Sequence, residues 1–234
     1  MYELYIANKN YSSWSLRPWL LMRQLDIPFH ERFMQFPDKS AADPGAGAET
    51  GHPFRAFSPT GRVPCLHDGE TVVWDSLAIV EYLAEQHADV WPADARARAW
   101  ARCAAAEMHA GFATLRERCS MSCGIRVRLD EIPPALAADL ARLTELWREG
   151  LARFGGPFLA GAAFTAVDAF YGPVALRIQT YSLVLDEVAA AYAQRLLALP
   201  AMRAWYEGAL AETFRDPSHE GVVGGMVVED LRAS

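Results

Sequence analysis

Cysteine is scarce in this chain of 234 residues, and the little there is carries no pairing motif. Cys65, Cys103, Cys119 and Cys123 form no CxxC, and no second pair stands at zinc-ligand spacing, so no metal is expected. Long apolar runs are missing as well, since no window approaches the ~18 residues of a membrane span. The opening Met1-Tyr2-Glu3-Leu4-Tyr5-Ile6 lacks the basic and apolar regions of a signal peptide, which makes a reducing cytoplasm the expected home. Positive charge is in deficit, with 22 Lys and Arg against 29 Asp and Glu and a formal net charge of −7. Nucleic-acid phosphates call for clustered cations, so a general nucleic-acid role is disfavoured; a small anion needs only a local basic pocket. What the chain does have is apolar mass, 52% of its residues, enough for a packed core in one large domain or two small ones.

The periodicity changes once along the chain. Tyr2, Leu4 and Ile6 alternate with Glu3, Tyr5 and Ala7, which predicts a strand. After the polar run from Asn8 to Ser13 a helix carries Leu16, Trp19, Leu20 and Met22, with Pro18 expected in its first turn. A second strand is expected over Phe29–Met34, a loop over 37–53, and a hairpin over Val63–Trp74 with a type I′ turn at Asp68-Gly69. A helix opens at Asp75-Ser76. This βαβ-ββα order predicts a mixed four-stranded sheet. Residues 88–94, Ala-Asp-Val-Trp-Pro-Ala-Asp, read as a linker between a domain over 1–87 and one over 95–234. Beyond the linker every clear period is helical: Trp100 through Cys119, Leu136 through Phe154, then Thr165–Ser182, Glu187–Leu197 and Ala201–Leu210.

Three short segments of the first domain carry chemistry. Tyr11-Ser12-Ser13-Trp14-Ser15-Leu16-Arg17-Pro18 joins a strand end to a helix start, where hydroxyls and backbone N–H groups favour an anion and would help a thiol ionise; helix capping alone would also account for the serines. In Gly61-Arg62-Val63-Pro64, a proline at the head of a strand cannot donate to the ladder, and a cis bond there would let Val63 turn its backbone toward a peptide-like ligand. Asp75-Ser76 offers a helix N-terminus to a carboxylate, or serves as an ordinary cap.

In this order and spacing, residues 1–90 resemble the amino-terminal domain of the glutathione transferases. The serine stretch is most similar to the zeta class, with Trp14 where that class has cysteine. Phe164-Thr165-Ala166-Val167-Asp168 resembles the buried capping box of the family's helical half, a folding feature rather than a catalytic one. The fold implied is a thioredoxin-like α/β domain followed by an all-helical one, and the resemblance extends over residues 1–215.

The resemblance implies glutathione as co-substrate, with no permanently bound cofactor, and a homodimer. A hydroxyl of Ser12 or Ser13 would stabilise the thiolate; Val63, with Pro64 behind it, would pair with the cysteinyl unit, and Asp75 and Ser76 would hold the γ-glutamyl end. Lys39 or Arg62 would meet the glycyl carboxylate. A small, mostly apolar electrophile would sit against the helical domain, near Trp14, Glu107, His109 and Arg177, although the default for His109 is a surface or satisfied core histidine and for Arg177 a solvated-face charge. Two other activities share these motifs: a glutathione-dependent isomerase of the maleylacetoacetate isomerase type, and a glutathione-binding module without catalysis.

Overall fold

The structure is a computed structural model that describes residues 1–37, 53–221 and 225–232. Strands β1 (Tyr2–Ala7), β2 (Phe29–Met34), β3 (Cys65–Asp68) and β4 (Thr71–Trp74) form one sheet in the order β2-β1-β3-β4. β1 and β2 are parallel, and β3 runs antiparallel to both β1 and β4. Helix α1 (Ser13–Gln24) makes the parallel crossover and α2 (Ser76–Ala84) follows the hairpin. This is the mixed four-stranded sheet that the alternating and helical periods predict, in the thioredoxin-like arrangement that the family resemblance implies.

Local chemistry differs from expectation at two places. The hairpin pairs Asp68 with Thr71, so its central residues are Gly69 and Glu70 rather than Asp68 and Gly69. Gly69 has φ +60° and Glu70 does not share the positive φ, a pattern that fits type II′, where glycine takes the first central position, rather than type I′. Helix α1 begins at Ser13, which moves Pro18 from the first turn into the second. Proline has no N–H to give the carbonyl four residues back, so the turn carrying Ser13 and Trp14 is released from one helix bond.

The second half is built from α3 (Ala95–Ala110), α4 (Ala113–Arg118), α5 (Pro134–Phe154), α6 (Ala166–Tyr181), α7 (Glu187–Ala198), α8 (Pro200–Leu210) and α9 (Pro217–Glu220). The period from Trp100 to Cys119 does not make one helix. Phe112 takes a left-handed φ of 54° and divides it into α3 and α4. The half is mainly helical, with one addition: β5 (Ile125–Leu129) pairs antiparallel with β6 (Gly225–Asp230). The alternation of Ile125, Val127 and Leu129 with two arginines is the signal for β5. Among the described residues no helix is long and apolar enough to cross a membrane.

Helix α6 is the axis of this half, and all but one of its sixteen residues are buried. It packs on α1. Gly172 permits the close approach, because a Cβ there would meet Leu20 Cδ2 at 2.7 Å. The start of α6 is held by the expected capping box. The Asp168 carboxylate accepts from Thr165 N–H at 3.0 Å and from Thr165 Oγ1 at 3.5 Å. It reaches further, accepting from Leu159 N–H at 3.0 Å and from the Tyr192 hydroxyl at 2.7 Å. Thr165→Ala removes the threonine half of the box, its bond from the Asp168 backbone N–H and the long hydroxyl bond, so a cost of about 1 kcal/mol in urea denaturation is expected, with the folded protein unchanged in the cleft described below.

Candidate functional site

The serine loop is a tightly bonded corner rather than a mobile one. Tyr11 and Ser12 N–H groups both donate to Asn8 O, at 3.0 and 2.9 Å. Buried Asn10 is clamped from the other half: Nδ2 donates to Ala209 O at 2.5 Å and Oδ1 accepts from Gly124 N–H at 3.1 Å. Ser12 is the N-cap of α1 and makes no capping bond; its hydroxyl donates instead to Ser15 Oγ at 2.7 Å. Ser15 Oγ in turn accepts from Ala7 N–H at 3.4 Å. Ser13 Oγ accepts from Arg177 Nη2 at 3.4 Å.

Two adjoining cavities open beside this corner. The first, about 530 Å³, is lined by Trp14, Arg62, Val63, Pro64, Asp75 and Ser76, with Arg55, Thr60 and Trp74 at its margin. Val63–Pro64 is a cis peptide bond. Among the described residues the Val63 backbone N–H and C=O have no intramolecular partner. Asp75 has φ 76° and ψ 136°, a region that a non-glycine residue occupies only at a cost of about 1–3 kcal/mol, and such strain concentrates where ligands are held. Its carboxylate accepts from Leu77 N–H at 2.8 Å. Ser76 is fully buried and its hydroxyl accepts from Arg17 Nη1 at 3.3 Å.

The second cavity, about 390 Å³, shares Trp14, Arg62 and Val63 with the first and reaches Ser12, Ser13, Arg116, Arg177 and His219. A larger hollow of about 790 Å³ lies elsewhere, between α5 and residues 184–186. Its lining is mostly apolar side chains with no inward cluster of hydroxyls or strained backbone, so it is not the candidate site.

Arginines dominate the wall between the two cavities. Arg17, from α1, stacks on Trp14 at 4.1 Å and on Phe170 at 4.8 Å, and its Nη1 lies 3.5 Å from His109 Nδ1. Burial, then the like charges of Arg177 and Arg116, push Arg17 down to about 9; Arg177 falls to about 10, mainly through burial. Both remain cations at neutral pH. His109 Nε2 lies 3.6 Å from Asp75, and its ring meets Trp14 edge-on at 5.2 Å. Burial, with Arg17 and Arg116, lowers its pKa against the pull of Asp75, so the neutral ring is favoured.

The expected residues therefore meet unevenly. Ser12, Ser13, Trp14, Arg62, Val63, Pro64, Asp75 and Ser76 converge, although they come from three separate segments. Arg177 joins them as a buried wall residue, not a solvated one. His109 stands behind Trp14. Glu107 is drawn away, its carboxylate bonded to Arg142 on α5 at 2.7 and 2.9 Å, and it lines neither cavity. Lys39 lies outside the described residues. Cys65, Cys119 and Cys123 are buried, and burial pushes their thiols to about 11, 11 and 12. Among the described residues no cluster of His, Cys, Asp or Glu could hold a metal ion. Arg17 belongs to the serine motif itself; Arg55, Arg116 and His219 carried no local sequence signal of their own, and packing alone brings them here.

Residues 11–86 match the family model described as Glutathione S-transferase, N-terminal domain. Over those residues the chain is similar to a glutathione S-transferase N-terminal domain. That segment holds the serine corner, Val63-Pro64 and Asp75-Ser76, the whole of the first cavity's wall. Similarity continues beyond it. The glutathione S-transferase-like protein OpS6 of Beauveria bassiana is 24% identical over 183 residues, covering 73% of this chain and 76% of the relative. Glutathione S-transferase 3 of Zea mays is 31% identical over 135 residues, 53% of this chain and 58% of the relative. Among solved structures, the theta class glutathione S-transferase of Xanthomonas axonopodis pv. citri, crystallised with glutathione bound, shares the fold. It aligns with a TM-score of 0.59 at 23% identity, covering 91% of this chain and 99% of the other.

Proposed function

We propose that the chain is a glutathione transferase that binds the tripeptide in the first cavity and activates its thiol at Ser13. The observation that carries this reading is convergence. A free peptide edge at Val63, a strained acid at Asp75 and a helix start at Ser76 surround one cleft of about 530 Å³, and the Ser13 hydroxyl lines the adjoining cavity that shares Trp14, Arg62 and Val63 with it. Val63 offers both backbone groups to the cysteinyl unit in strand fashion. Asp75 takes the γ-glutamyl ammonium, while Ser76 and the α2 N-terminus, backed by Arg17, take its carboxylate. Arg62 or Arg55 meets the glycyl carboxylate.

The hydrogen bonds around the serines support Ser13 as the sulfur donor. The Ser12 proton is already committed to Ser15. Ser13 accepts from Arg177, which leaves its own proton directed away from that guanidinium and toward the cavity. The buried positive charge behind the hydroxyl adds to the preference for a thiolate. Tyr11 does not compete, because its hydroxyl donates to Glu220 at 2.6 Å and is pushed far above its usual range by burial and that carboxylate. The transferred group is then a small electrophile held in the second cavity.

Calorimetry with reduced glutathione tests the first step. Saturable binding between micromolar and millimolar, roughly −8 to −4 kcal/mol, is expected, weakened at least ~10-fold by Asp75→Ala. No heat and no thermal shift at ~10 mM would overturn the reading.

A further inference from the structure

The second cavity combines an apolar floor with uncompensated positive charge. Trp14, Phe36, Phe54 and Met121 supply flat apolar surface. Arg62, Arg116 and Arg177 stand around it, and Arg17 lies just behind Trp14. Among the described residues none of these four guanidiniums has a carboxylate within 4.0 Å. Of the nearby acids, Asp75 acts on Arg17 from beyond contact distance and accepts from Leu77 N–H, Asp216 is engaged with His219 Nδ1 at 2.8 Å, and Glu220 with the Tyr11 hydroxyl and Arg232.

Donors are left over. Arg116 spends Nη1 on His109 O at 3.0 Å and lies over the Trp14 ring at 5.5 Å, and its fork has no other hydrogen-bond partner among the described residues. Arg177 is 5% exposed; two of its nitrogens are satisfied by Cys119 O and Pro173 O, and Nη2 has only the 3.4 Å bond to Ser13. Arg17 Nε, fully buried, has no partner. In a chain of net charge −7, this group of cations, with Arg17 and Arg177 buried, Arg116 half-buried and Arg62 exposed, is a local reversal of sign. Burying a charge without a counter-ion is costly, and an arriving anion recovers part of that cost while an uncharged ligand does not. Glutathione accounts for Arg17 through Ser76, but Arg116 faces away from the Asp75–Ser76 wall and lines only the second cavity.

We propose that the second substrate is an anionic electrophile, a small molecule with a flat apolar body and a carboxylate that docks on Arg116 within the field of Arg177. This deepens the glutathione reading and rests on it. The fork geometry of arginine suits a carboxylate with two parallel bonds, which a neutral amide of the same shape cannot make. The apolar floor orients the body across Trp14 so that the reacting carbon lies toward Ser13.

Product conjugates test this without relying on turnover. S-(4-carboxybenzyl)glutathione and S-(4-carbamoylbenzyl)glutathione differ only in one charge at the far end of the ring. Calorimetry on the full chain at pH 7 and ~0.1 M salt, where screening acts over ~10 Å, compares their affinities. The carboxylate conjugate should bind at least 10-fold more tightly, and Arg116→Met, which keeps the apolar stem, should cut that ratio to below 3-fold. Equal or weaker binding of the carboxylate conjugate would overturn the proposal, as would a ratio unmoved in a folded Arg116→Met. If glutathione and both conjugates all fail to bind, the glutathione reading falls and takes this one with it. Binding of glutathione with no preference between conjugates removes only the anionic substrate.

Discussion

Ser13→Ala should lower turnover with glutathione by about 10²-fold, equivalent to about 2.7 kcal/mol, while glutathione affinity changes several-fold at most. The hydroxyl's bond to sulfur strengthens as the thiol ionises, so its loss falls on the transition state more than on the bound ground state. The thiolate ultraviolet band of bound glutathione should appear at higher pH in Ser13→Ala, moving toward the ~8.5 of a free thiol. Ser12→Ala should leave that band nearly in place, because the Ser12 proton is spent on Ser15 at 2.7 Å. A variant pair behaving the other way round would transfer the role to Ser12. If neither variant moves the band, backbone N–H groups at the start of α1 become the activating donors.

Asp168→Ala should be the most destabilising single change described here, on the order of 4 kcal/mol in urea. It orphans the N–H groups of Leu159 and Thr165 and the Tyr192 hydroxyl in a fully buried site, and each buried unsatisfied donor costs about 1–3 kcal/mol. The pH dependence has a defined sign. Burial pushes the Asp168 carboxyl up to about 6 from its ordinary value near 4, against four bonds, from Leu159, Thr165, Tyr192 and its own backbone N–H, that favour the charged form. A raised folded pKa means that the native state holds its proton longer than the unfolded chain does. The Asp168 contribution is therefore fully present below about pH 4, declines as pH rises to about 6, and is constant above that. The stability gap between the wild type and Asp168→Ala should widen as pH falls from 7 to 4. A gap that narrows would mean the carboxylate is stabilised by its donors more than burial opposes it.

These two residues also show what a sequence can and cannot disclose. Asp168 was legible because a threonine three positions earlier announces a capping box, a signal contained in four consecutive residues. Helix α5 was legible because an amphipathic stripe runs along all 21 of its residues. The serine corner, Val63-Pro64 and Asp75-Ser76 were each visible as local motifs, and their order told which fold would gather them. The type I′ turn failed because one glycine can fill two registers, and only the pairing of Asp68 with Thr71 decides between them. The β5–β6 ribbon went unread because its two strands are about a hundred residues apart, so neither has a local partner to suggest it. Arg116 and Arg177 resemble any helix-surface arginine in sequence. The inward placement of Arg177 comes with α6 closing on α1 across Gly172, a contact no short window contains.

The corner that carries the serines is closed by the far end of the chain. Arg232 donates to the Tyr11 hydroxyl at 3.0 Å and bonds Glu220, while Leu231 N–H donates to Gly124 O at 2.8 Å. Gly124 admits this crossing, since a Cβ there would lie 2.1 Å from Arg232 Cγ. During synthesis the thioredoxin-like half leaves the ribosome first and can begin folding at once, as domains generally do. The serine corner, however, waits for its last partners until residue 232 has emerged. Completion of the cleft is thus tied to a contact that spans 221 residues of sequence, from Tyr11 to Arg232.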